Sequence, residues 1–193
     1  ENRAKNGRST KTFITEGRWG KIMDEIKPGD YVFIQFGHND ESIKKQERYT
    51  TPEEFKTNLV RFIRETREKD AKPILLSPIT RRYFDGDNIK LTHTHSPMVV
   101  EVAEEQGVAF IDMDPLTRAH FEEMGDAAST LRFMHIKPKL HPNYPNGVRD
   151  DTHTNSLGAR EIAQLVLVEL RKMDHPLVEH LRTPDPKHLK LKY

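Results

Sequence analysis

In the stretch Pro28-Gly29-Asp30-Tyr31-Val32-Phe33-Ile34-Gln35-Phe36-Gly37-His38-Asn39-Asp40, a nearly continuous apolar, β-branched and aromatic run stands between a Pro-Gly-Asp turn and a glycine. A run of that length without polar alternation reads as a buried parallel strand. The segment beyond it has a different period. Thr51 can cap a helix, Pro52 suits its first position, and Glu54 completes a capping box. Phe55, Leu59, Phe62 and Ile63 then share one face of a helix running to about Lys69. Strand followed by amphipathic helix is the unit of an α/β domain, and the chain repeats it.

Pro73-Ile74-Leu75-Leu76-Ser77 is a second strand, stopped by Pro78, and a polar loop runs from there to about Ser96. Val99 to Gln106 reads as a helix ended by Gly107, Val108 to Asp112 as a third strand, and Leu116 to Met124 as a helix. His135 to Asp151, rich in Pro, Asn and Gly, reads as a long loop. In the last helix Ala159, Ile162, Ala163, Val166, Leu167 and Leu170 form the apolar face. Residues 1–173 read as one domain and residues 174–193, with Pro176, Pro184 and Pro186, as an extended tail. Such a fold normally opens with a strand that becomes central in the sheet. Here the chain opens with the polar segment Asn2 to Thr12, so a first strand is expected to be missing.

Composition narrows the function. The 193 residues suit a single domain, and 35% hydrophobic content is enough for a core. Lys and Arg total 31 against 30 Asp and Glu, a net charge of +1 that argues against a nucleic-acid binder. No apolar run approaches the roughly 18–20 residues of a membrane span. The absence of cysteine removes disulfides, thiolate metal sites and a Cys nucleophile together.

Three segments carry candidate chemistry. Gly37-His38-Asn39-Asp40 ends a strand at its carboxyl end, where open parallel sheets bind ligands, and Asn39 could offer an amide to a developing negative charge. Gly and Asn are equally at home in a plain strand-ending turn. Asp150-Asp151-Thr152-His153 precedes the last helix. On a turn or first helical turn, Asp150 can accept a hydrogen bond from one ring nitrogen of His153 and leave the other free and basic, although an Asp capping a turn beside a surface His has the same spacing. Asn6-Gly7-Arg8-Ser9-Thr10 contains a glycine whose N–H could point into a site, or an ordinary polar turn. Arg81 and Arg82 come after the second strand and are expected to face the cleft, where they could pair with acidic sugars. His93 and His95 lack a third ligand at a diagnostic spacing, so zinc is not expected.

Taken together and in order, these segments resemble the SGNH hydrolases and, more narrowly, the rhamnogalacturonan acetylesterase family. Asn2, Ala4, Gly7, Arg8, Ser9, Thr10, Phe13, Glu16, Gly17, Arg18 and Trp19 are similar to its second block, Pro28 to Asp40 to its third, and Asp150 to His153 to its last. The resemblance implies a flavodoxin-like three-layer α/β/α sandwich and a Ser-His-Asp acetylesterase acting on a plant cell-wall polysaccharide. It implies His153 as general base, Asp150 as its orienting partner, and Gly7 N–H with Asn39 as the oxyanion hole. It implies no metal or cofactor, an acetylated polysaccharide as partner rather than nucleic acid or membrane, and a secreted or periplasmic location. The family's Gly-Asp-Ser nucleophile block has no counterpart here: Gly86-Asp87 continues to Asn88, Gly125-Asp126 to Ala127, and Ser9 belongs to the second block. The nucleophile is therefore expected upstream of this chain, and without its strand the sheet should show a groove or a substitute segment. Alternatives are an esterase on acetylated xylan or lipid, or a non-catalytic carbohydrate-binding relative; the polar loop from Arg81 to Ser96 favours sugar over lipid.

Overall fold

The computed structural model describes residues 1–182. Three parallel strands form the main sheet: β1 (Tyr31–Gln35), β2 (Lys72–Leu76) and β5 (Ala109–Ile111), side by side in that order. Tyr31 pairs with Lys72 and Gln35 with Leu76, while Ile74 to Leu76 pair with Ala109 to Ile111. The pleat sends alternate side chains to opposite faces, and each face has its own core. Ile34 and Leu75 pack with Phe55, Leu59, Phe62 and Ile63 of α3 (Pro52–Glu68), Val99 and Val102 of α4 (Ser96–Gln106), and Phe13, Trp19 and Met23. Ile74, Leu76 and Ile111 pack on the other side with Met113 of α5 (Met113–Met124) and Leu170 of α7 (Ser156–Lys172). The result is a three-layer α/β/α sandwich.

The capping box of α3 forms as its sequence requires: Thr51 Oγ1 accepts from the Glu54 N–H, and the Glu54 carboxylate accepts from the Thr51 N–H. Asn155 likewise caps α7, accepting from the N–H groups of Leu157 and Gly158.

Several elements differ from expectation. Of the polar opening segment only Thr10 to Thr12 is helical; it begins α1 (Thr10–Thr15), which together with α2 (Arg18–Glu25) buries Phe13 and Trp19. The loop between β2 and α4 contains the short hairpin β3 (Phe84–Asp85) and β4 (Asn88–Ile89), turning on Gly86-Asp87. The Pro-rich segment is not one loop; it lies between two antiparallel strands, β6 (Phe133–Ile136) and β7 (Val148–Thr154). A 3-10 turn over Pro176–His180 puts Leu177 and Leu181 against the β5–α7 core, so the start of the expected extended tail is folded; residues 183–193 lie outside the described residues. No gap opens inside the main sheet. Among the described residues β1 is its edge strand, and Phe33 is 45% exposed there rather than buried.

Candidate active site

The turn after β1 begins the site. Gly37 has φ +138°, and a Cβ there would stand 2.5 Å from Pro78 Cγ, so only glycine lets β1 turn this close to the end of β2. The turn delivers Asp40 into the interior beneath α1, where its carboxylate accepts from the Thr10 N–H (3.0 Å) and from the hydroxyls of Thr10 (2.6 Å) and Thr50 (3.1 Å). Burial outweighs those bonds and pushes the Asp40 carboxyl up to about 6. Asp40 thereby fastens the segment before α1 to the turn after β1. Gly7, at φ +75°, lies on a turn in that segment.

Gly7 and Asn39 meet through one cation. Arg48 Nη1 donates to Asn39 Oδ1 (2.8 Å) and to the Gly7 carbonyl (3.3 Å), and Asn39 Nδ2 donates to the Arg8 carbonyl at 3.1 Å. Ser9 is fully buried, its hydroxyl accepting from the Thr12 N–H as the N-cap of α1; a hydroxyl so placed is a cap rather than a nucleophile.

Asp150 and His153 lie on β7, where an i, i+3 pair in regular strand geometry would be too far apart and on opposite faces. A bulge removes the difficulty. Phe133 pairs with Thr154, but the next residue, Met134, pairs with Asp150, so Asp151, Thr152 and His153 loop out. Asp150 Oδ1 accepts from the N–H groups of Thr152 (2.8 Å) and His153 (3.0 Å), closing the turn, and Asp150 Oδ2 lies 2.7 Å from His153 Nδ1. Burial raises the Asp150 carboxyl, but the backbone donors and the His153 ring overcome it and hold the group below its ordinary value. An ionised carboxylate can only accept, so Nδ1 of His153 carries a proton and donates it to Asp150, while Nε2 is the ring nitrogen left to exchange a proton with a substrate. The His153 side chain is 63% exposed and can be reached from solution.

Arg81 joins the two halves: Nη1 donates to Thr152 Oγ1 (3.1 Å) in the bulge and Nη2 to the His38 carbonyl (3.5 Å) in the turn after β1. Arg82 does not face the cleft as expected. Its side chain is 5% exposed, donating to Asp151 (2.9 Å) and pairing with Asp126, because a guanidinium buried beside Phe84 needs carboxylate partners. His38 packs edge-on to His93 at 4.3 Å; burial, ahead of its His93 and Arg81 neighbours, holds it well below the usual histidine range, so it stays neutral. His93 is itself buried between the Ile79 carbonyl (2.9 Å) and Glu41 (3.3 Å), and His95 packs on Phe55, so the pair lies on a loop as expected but with both side chains in the interior. Among the described residues no group of three or more His, Cys, Asp or Glu is placed to hold a metal.

Arg48 and Arg81 differ in how far the sequence points to them: Arg81 is expected at the cleft, while nothing in the sequence marks Arg48. Each works through contacts with distant backbone carbonyls, for which no local spacing exists.

Comparison with known proteins agrees with this architecture. The profile of the GDSL-like lipase/acylhydrolase family matches residues 1–160. The chain is 38% identical over 183 residues to the rhamnogalacturonan acetylesterase RhgT of Bacillus subtilis, spanning 93% of this chain and 77% of that protein. It is 27% identical to a rhamnogalacturonan acetylesterase of Emericella nidulans, over 86% of this chain and 71% of the other. Among solved structures, the B. subtilis protein YXIM superposes with a TM-score of 0.75 at 28% identity, covering 89% of this chain and 45% of that one. An acetylxylan esterase from Geobacillus stearothermophilus superposes at 0.60 with 19% identity, over 85% and 68% of the two chains, which speaks to the fold alone.

Proposed function

Because the chain belongs to the GDSL-like lipase/acylhydrolase family and is that of a serine-type carboxylic ester hydrolase, we propose that it removes O-acetyl groups from rhamnogalacturonan outside the cell, with its serine on a segment preceding residue 1. The observation that carries this reading is the His153–Asp150 pair: an exposed imidazole with Nδ1 committed to a carboxylate and Nε2 without a partner among the described residues. Identity of 38% to one rhamnogalacturonan acetylesterase supports the substrate.

In this reading the serine hydroxyl attacks the acetyl carbonyl carbon while Nε2 of His153 takes its proton. The carbonyl oxygen becomes an oxyanion, met by the Gly7 N–H and by an Asn39 Nδ2 hydrogen. Collapse breaks the bond to the sugar oxygen, which leaves with the proton held by His153, and the acetyl group stays on serine. Water then attacks the acyl-serine, gives a proton to His153, and acetate departs as serine is reprotonated. Asp150 stabilises the imidazolium in both halves.

The test is acetate release by the full-length protein from acetylated rhamnogalacturonan and acetylated xylan side by side. Faster turnover on rhamnogalacturonan, abolished in His153→Ala, is the expected result. Equal or greater turnover on xylan, or activity that survives His153→Ala, refutes it.

A further inference from the structure

The contacts of Arg48 set it apart from the other surface-side arginines. One nitrogen, Nη1, serves both Asn39 Oδ1 and the carbonyl of Gly7, the two residues assigned to the oxyanion hole, and they stand thirty-two positions apart in sequence (Gly7 to Asn39). The Nε of the same guanidinium is buried with no hydrogen-bond partner among the described residues. A buried N–H of a charged group left without a partner is unfavourable, and such a group calls for an explanation other than packing.

The explanation lies in the amide it holds. An Asn side chain can rotate by half a turn about its last bond and exchange its oxygen for its nitrogen. At Asn39 both ends resist this: rotation would set the amide nitrogen against the Arg48 guanidinium and the amide oxygen against the Arg8 carbonyl. The orientation is therefore fixed with Nδ2 away from Arg48. Of its two hydrogens one goes to Arg8, and the other is uncommitted among the described residues. A cation on Oδ1 also draws electron density from the amide and makes that remaining N–H a stronger donor.

We propose that Arg48 is a positioning residue for the oxyanion hole, acting through Asn39 by fixing its amide orientation and strengthening its free N–H. This rests on the reading of Asn39 as an oxyanion donor, and it adds a residue that lies in none of the matching sequence blocks.

A double-mutant cycle in the full-length protein tests it. Asn39→Ala should lower kcat about 100- to 1000-fold, as expected for loss of one oxyanion donor. Arg48→Met should lower kcat at least about tenfold with KM within about twofold, Arg48→Lys should restore part of it, and Arg48→Met in the Asn39→Ala background should cost nothing further. Multiplying effects, or a change in KM alone, overturn the proposal. A second measurement stands apart from catalysis: the side-chain amide resonances of Asn39 in a 15N-labelled protein. Arg48→Met, or Arg48→Gln if the first does not fold, should collapse the shift difference between the two amide protons and speed their exchange with solvent. Unchanged Asn39 resonances overturn the proposal whether or not the protein is an esterase. A wild type inactive on every acetyl ester, with Asn39 resonances that still respond to Arg48, refutes only the functional reading and leaves the Arg48–Asn39 linkage supported.

Discussion

Asp150 does three things at once: it accepts two backbone N–H groups that close the bulge, and it takes the ring N–H of His153. Asp150→Asn keeps the shape but presents an amide that can donate to Nδ1, so the wrong ring tautomer becomes favourable. A fall in kcat of about 10⁴-fold with little change in melting temperature is expected, the pattern of an orienting carboxylate. A loss of less than about tenfold would mean that His153 is not held in its working tautomer by Asp150. Asp40 makes a prediction of opposite character. Its carboxyl is raised to about 6 from an ordinary 3.8, so the folded state binds its proton more tightly than the unfolded state. The stability this gives is fully present below about pH 4 and is lost as pH rises to about 6. Asp40→Asn, neutral throughout, removes that slope. The stability of the variant relative to wild type should increase from pH 4 to pH 7 by on the order of 2–3 kcal/mol. Denaturant midpoints at the two pH values measure it, and a constant difference would contradict it.

At the scale of elements, what the sequence made legible depended on whether the deciding interactions are local. Helix α3 could be read because Thr51, Pro52, Glu54 and the Phe55-Leu59-Phe62-Ile63 stripe lie within one segment, and all four apolar residues are buried. Thr51→Ala should lower stability by about 1 kcal/mol, seen as a lower melting temperature with activity retained. The β6–β7 pair could not be read, since Pro138, Pro142, Pro145, Asn146 and Gly147 dominate the local composition while the pairing joins Phe133 to Thr154. Helix α1 escaped for a similar reason: it has six residues, and Asp40, thirty positions away, receives its first N–H. The same limit explains the site. The Asp150–His153 pairing was legible from its spacing, although the expected turn proves to be a bulge in a strand; the inward turn of Arg82 was not, because Asp126 and Asp151 are distant in sequence. Arg82→Met should lower stability by about 1–3 kcal/mol, since Asp151 keeps His135 as a partner and Asp126 is 63% exposed; an unchanged melting temperature would contradict it.

For the molecule as a whole, two helical layers enclose a sheet whose edge strand β1 carries the turn with Asn39 at its carboxyl end. Candidates for base, orienting carboxylate and oxyanion donors are all at hand, while none of the matching segments supplies a Gly-Asp-Ser serine. In the proposed function the nucleophile is none of the serines of these 193 residues. The direct test is acetate release from acetylated rhamnogalacturonan by this chain alone and by a longer protein that includes a preceding Gly-Asp-Ser segment. Turnover by the longer protein that disappears when its serine or His153 is replaced by Ala, with only background release by the chain alone, is the predicted result. Robust, His153-dependent turnover by the 193-residue chain would contradict the account and place the nucleophile among its own serines.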